Sequence, residues 1–160
     1  MIVSVSNAQR EATVDRRRVA RLVRLAARRL SIRVSGTMSV TFITSRRMRQ
    51  LNKRFLRHDR PTDVLSFRYD GPSARPDGLA RDVASRNIPA RLHELVVGEI
   101  VIAPREAKTY ARRHGIPYEE ELARYVVHGL LHWLGHEDAT VAQQRKMRAM
   151  EDRLLVGCRF

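Results

Sequence analysis

One cysteine, no long apolar run and few acidic residues set the first limits on this 160-residue chain. Cys158 has no second cysteine to pair with, so no internal disulfide staples the fold, and a reducing, cytoplasmic compartment is the simplest expectation. Nowhere do about eighteen apolar residues follow one another, so no membrane-spanning helix is expected. The opening "MIVSVSNAQREATVDRRR" does not read as a secretory signal, because its apolar part is too short and its charge follows rather than precedes it. Internal repeats are absent too. The length suits one domain, residues 1–160, with enough chain to bury a single core.

Basic residues dominate what is there. Thirty-one Lys and Arg against 17 Asp and Glu give a formal net charge of +14, and nearly all of the excess is arginine. A guanidinium presents a planar fork that suits phosphate better than the point charge of lysine. Residues 10–33 hold nine arginines against Glu11 and Asp15, and residues 45–60 hold seven basic side chains against Asp59. Such a field favours a polyanion, although solvated arginine-rich faces of a high-GC genome carry the same composition. Charge therefore indicates a class of partner and no chemistry.

Patterning predicts an α+β fold of about four strands and five helices, with one helix central. "MIVSVS" alternates as a strand, and Thr13 is the expected cap of a helix over "VDRRRVARLVRLAARRL". Val19, Leu22, Val23, Ala26 and Leu30 share one face of that helix; Arg17, Arg21, Arg24 and Arg28 share the other. "MSVTFIT" is a strand, after which Ser45 is expected to cap a basic helix to about Leu56. "DVLSFRY" and "VVGEIVIA" are further strands, and Pro104 and Gly115 bracket a helix. The next helix runs from about Tyr118 to Gly135 and is apolar nearly all round after Arg124, which predicts burial. A last helix from about Thr140 turns Val141, Met147, Met150 and Leu154 inward. Residues 70–93, rich in glycine and proline, read as one long loop.

The chemistry concentrates in "HGLLHWLGHEDA". His128 and His132 stand four residues apart, one turn along one helix face, where two neutral imidazoles hold one divalent ion. Two histidines within an apolar stretch are hard to bury unpaired. Metalloproteases with the His-Glu-x-x-His motif carry their general base directly after the first histidine; that position is Gly129 here, which disfavours peptide hydrolysis by that route. His136 continues the four-residue series, but on a straight helix it lies about 12 Å along the axis from His128. A glycine just past a helix end permits a left-handed reversal, so Gly135 is expected to bring Asp138 back as the third ligand, with His136 its rival if the turn differs. Trp133 reads as core, and His58, His93 and His114 show no ligand spacing.

These residues resemble the signature of the YbeY endoribonucleases, bacterial rRNA maturation factors, written His-Gly-x-Leu-His-Leu-x-Gly-Tyr-Asp-His. His128, Gly129, Leu131, His132 and Gly135 fall in register. "NKRFLRHDRPTDVLSF", Asn52 to Phe67, is similar to a second block of that family with one residue fewer between its Asp and its Pro, and "GEIVI", Gly98 to Ile102, to a third. The family's third histidine is Asp138 in this chain, and its Tyr-Asp is His136-Glu137. Aspartate keeps an anionic donor, while its charge makes the ion a weaker Lewis acid.

The resemblance implies a single-strand-specific, metal-dependent endoribonuclease acting in 16S rRNA 3′-end maturation and ribosome quality control. It implies one zinc ion, or another divalent transition metal, on His128, His132 and Asp138. An rRNA precursor and the small ribosomal subunit are the implied partners, without a membrane role. Arg57 matches the family's arginine and is the implied catalytic residue, meeting charge on the phosphate, with Arg49 and Arg54 beside it as RNA-binding residues. Without that block, Arg57 is one of seven basic residues on a solvated helix. Asp63 and Ser66 shape the cleft, Ser66 through a strand-edge hydrogen bond. A second function class fits the same charge: a non-catalytic assembly factor that binds rRNA or the ribosome and whose metal is structural.

Overall fold

A computed structural model describes residues 1–57, 59, 62–69 and 96–158. The long loop read at 70–93 lies outside the described residues, as do His58 and His93. The elements follow the order β1 (Ile2–Asn7), α1 (Arg16–Arg29), β2 (Thr37–Phe42), α2 (Ser45–Leu56), β3 (Val64–Arg68), β4 (Val96–Ile102), α3 (Pro104–His114), α4 (Tyr118–Trp133) and α5 (Val141–Leu155). The architecture is α+β, with a mixed sheet of order β1-β2-β4-β3. β1, β2 and β4 run parallel, and β3 pairs antiparallel with β4, setting Val64 opposite Ile102 and Ser66 opposite Ile100.

Burial on both faces of the sheet explains its composition. β2 is buried at every position, as expected of a strand covered on both sides. Met38, Val40, Phe42, Ile100 and Ile102 join the larger core with Val19, Leu22 and Val23 of α1 and Val126, Val127, Leu130 and Leu131 of α4. On the opposite face, Leu65 and Val101 pack with Met48 and Leu51 of α2. α4 contributes most to the larger core, which is why its sequence is apolar nearly all round.

Glycines set how closely α4 lies on the sheet. A Cβ at Gly129 would stand 2.5 Å from Cγ2 of Ile100 and 2.8 Å from Cγ1 of Val64. A Cβ at Gly98 would collide with the indole of Trp133, whose Nε1 donates to the Val97 carbonyl at 3.1 Å. A side chain at position 129 would force Ile100 and Val64 to shift, so packing as well as sequence disfavours the glutamate of a His-Glu-x-x-His protease.

Three local expectations are corrected. Asp15, not Thr13, caps α1, accepting from the Arg17 and Arg18 amides at 2.9 and 3.0 Å. A carboxylate satisfies two orphan donors and also complements the helix dipole. Thr44 rather than Ser45 caps α2, accepting from the Arg47 amide at 3.2 Å, while the Ser45 amide donates to Glu11. Val141 is 64% exposed, since it is the first residue of α5, whereas Met147 and Leu154 are buried. The inward stripe of α5 includes Glu151 instead, only 4% exposed.

Candidate metal centre

α4 carries His128 and His132 on one face, their rings edge to face with centroids 4.4 Å apart. Their Nε2 atoms face each other at 2.9 Å. Leu134 caps α4, and Gly135 follows with φ of 91°. The Gly135 amide donates to the His132 carbonyl at 2.9 Å and the His136 amide to the Leu131 carbonyl at 3.0 Å, the paired bonds of a Schellman turn. That reversal brings Asp138 back over the histidines. Its Oδ2 lies 3.7 Å from Nε2 of His128 and its Oδ1 3.7 Å from Nε2 of His132. His128, His132 and Asp138 form the one candidate cation cluster among the described residues, and His136 is not part of it.

Behind the triad stands a buried acid. Nδ1 of His128 bonds Oε1 of Glu151 at 2.8 Å, and Oε2 of Glu151 accepts from Nη1 of Arg124 at 3.0 Å. Arg124 also donates to Asp152 at 2.7 Å and approaches Glu121 at 3.9 Å. Burial opposes charge on Glu151, yet its bonds to His128 and Arg124 win, and its carboxyl is held below the ordinary glutamate value. Burial likewise opposes charge on His128, but the Glu151 bond with the charges of Asp63, Glu151 and Asp138 raises its pKa. His132 goes the other way, lowered first by burial and then by the charge of His128.

The donor set fits a divalent cation. Two lone pairs 2.9 Å apart repel unless a proton or metal ion lies between them. Donors about 2.05 Å from a tetrahedral zinc stand about 3.3 Å from one another; the two Nε2 atoms stand 2.9 Å apart, and one donor atom from each of the three residues lies within 4.8 Å of the others. Glu151 on Nδ1 fixes the tautomer that presents Nε2 to an ion, as outer carboxylates do for metal-binding histidines. A cleft of about 250 Å³ opens beside His128 and Asp138, lined also by Asp63, Tyr110 and Arg148.

Sequence reasoning passed over Glu151 and Arg124. The available signal was an acid at position 151 on the stripe of Met147 and Leu154, where an apolar residue belongs. Ser66 donates to the Gly129 carbonyl at 2.8 Å, so it ties β3 to α4 rather than standing as a nucleophile. The Asp63 carboxylate accepts from the Val64 amide at 2.9 Å and from the Thr62 hydroxyl at 3.0 Å. Trp133 is core, and His114 stacks on Tyr110 at 3.8 Å.

The basic residues of α2 are arranged differently. Arg57 ends the helix in the left-handed region, φ 59°, with an exposed side chain. Arg49 pairs with Asp59 at 3.0 Å, a bond that with the Lys53 ion pair holds Asp59 below the usual carboxylate range. Arg54 lies over the ring of Phe55, 5.5 Å from its centroid. Among the described residues no hydrogen bond or ion pair joins these arginines to the triad.

A family model described as "Endoribonuclease YbeY" matches residues 4–158. A relative from Acidothermus cellulolyticus named endoribonuclease YbeY is 33% identical over 159 residues, covering 99% of this chain and 92% of its own length. One from Thermobifida fusca with the same name is 31% identical over 160 residues, covering 99% and 95%. A Thermotoga maritima protein solved in solution aligns with a TM-score of 0.57 at 20% identity, over 97% of this chain and 90% of that one, and shares the fold.

Proposed function

The chain belongs to the endoribonuclease YbeY family, and on that premise we propose that it is a metal-dependent endoribonuclease. His128, His132 and Asp138 hold one divalent ion, and zinc suits two imidazoles and a carboxylate. The observation that carries the reading is the pair of Nε2 atoms facing at 2.9 Å with Asp138 closing over both. When bound, such an ion supplies Lewis acidity to a phosphodiester and its attacking water.

The protein's own groups do the positioning. Glu151 holds His128 in the tautomer with a free Nε2, and Arg124 holds Glu151. Tyr110, Asp63 and Arg148 border the cleft where the scissile phosphate enters. Arg57 meets charge developing on the phosphate oxygens, and Arg49 and Arg54 bind flanking RNA. The proposed substrate is single-stranded rRNA precursor at the 16S 3′ end, reached on the small ribosomal subunit in the cytoplasm, with residues 1–160 acting as one domain.

Metal analysis of the purified protein, beside cleavage of a 16S precursor with and without chelator, tests this. Stoichiometric metal and chelator-sensitive cleavage are expected. A tightly held metal without cleavage would instead favour an assembly factor with a structural ion.

A further inference from the structure

The outer face of α1 carries arginines that the metal centre does not use. Arg21, Arg24 and Arg28 are exposed, and no side-chain hydrogen bond or ion pair is formed by them among the described residues. Their helix meets the core through Val19, Leu22, Val23 and Ala26, so its apolar side is already covered. Two hollows flank the row and share Arg24 and Arg28; one holds about 310 Å³ over Leu22 and Leu25, the other about 380 Å³ over Ala27 and Ile32. Among the described residues no carboxylate side chain lines either.

We propose that this face is a docking strip for single-stranded RNA, separate from the metal centre. Arg21 to Arg28 spans about 10 Å of helix, the length of about three phosphates of a stacked strand. Guanidinium forks take phosphate oxygens in pairs, while the apolar floors of the hollows accept riboses. A membrane surface fits less well, because membrane-lying helices bury an apolar face in the bilayer and that of α1 faces the core.

The strip stands apart from the chemistry. Arg29, next to Arg28, packs instead against the end of α5, donating to the carbonyls of Leu154 and Val156 at 2.7 and 2.9 Å. The hollows along the row share no lining residue with the cleft at His128 and Asp138. An RNA held at both sites is longer than one held at the cleft alone, so the strip favours long single strands over short ones. This rests on the endoribonuclease reading for its choice of RNA.

Fluorescence anisotropy with an unstructured RNA of about 20 nucleotides, titrated in salt, tests the strip directly. R21Q/R24Q/R28Q should weaken binding at least about tenfold and lower the log–log salt slope by about 2, at about 0.7 for each phosphate no longer neutralised. K108Q/R112Q/R113Q removes the same charge from exposed positions on α3 and should change the slope by less than about half a unit. An unchanged slope in the α1 variant, an equal loss in the α3 variant, or equal competition by phosphatidylserine vesicles overturns the strip. Chelator-sensitive cleavage by the wild-type protein, measured separately, reports on the endoribonuclease reading alone.

Discussion

Glu151 holds Nδ1 of His128 at 2.8 Å through one carboxylate oxygen and Arg124 at 3.0 Å through the other. The triad is thus anchored from behind by a buried ion pair linking α4 to α5. Removing the charge while keeping the shape isolates its role. Glu151→Gln should lower metal affinity about 10- to 100-fold, read by competition with a chelating dye. Glu151→Asp should recover part of the loss; equal affinity in all three proteins would reduce Glu151 to a packing residue.

The ligand set is tested one position at a time. His132→Ala and Asp138→Ala should each abolish stoichiometric metal and the metal-dependent rise in melting temperature. His136→Ala should leave both intact, because the Schellman turn uses its amide and not its ring. Loss of metal on His136→Ala with retention on Asp138→Ala would reverse the assignment.

Gly129→Ala tests the close approach of α4 to the sheet. The added methyl meets Ile100 and Val64 at 2.5 and 2.8 Å, so strands or helix must shift. A loss of about 1–3 kcal/mol is expected in denaturant unfolding, with weakened metal binding because His128 shifts with the helix. Wild-type stability would show that the crowding relaxes freely.

Acid should act on the metal-free protein through Glu151. Its folded pKa is depressed, so it contributes stability that is present above the unfolded value of about 4.3 and is lost as pH falls through the folded value. Glu151→Gln should therefore flatten the acid limb of a melting-temperature profile taken in chelator. Parallel acid limbs for the two proteins would assign that loss to other carboxylates.

Arg57 distinguishes catalysis from binding. If it meets charge developing in the transition state, Arg57→Lys keeps the charge and loses the fork, and should cleave about 10²-fold more slowly at saturation while binding RNA nearly normally. A change in KM alone would place Arg57 among the RNA-holding residues.

Short-range physics was legible in the residue order. The i, i+4 spacing of His128 and His132, the apolar girth of α4 and the helix stop at Gly135 each follow from one residue's relation to neighbours within two turns. Pro104 and Gly115 bracketed α3 for the same reason. Caps were less legible where two candidates compete within a few residues, as Thr13 with Asp15, because orientation against the body decides which side chain reaches the amides.

What only tertiary structure decided is what meets across elements. Glu151 lies 23 residues from His128, and nothing local to either marks them as partners; packing α5 on α4 turns a polar residue inward where it finds an imidazole and a guanidinium together. Gly98 and Gly129 likewise read only as motif letters until the indole of Trp133 and the side chains of Val64 and Ile100 close over them. The choice of Asp138 over His136 lay between the two regimes. Gly135 made reversal available, but the bonds from Gly135 and His136 back to His132 and Leu131 settled how far the chain turns, and so which side chain faces the histidines.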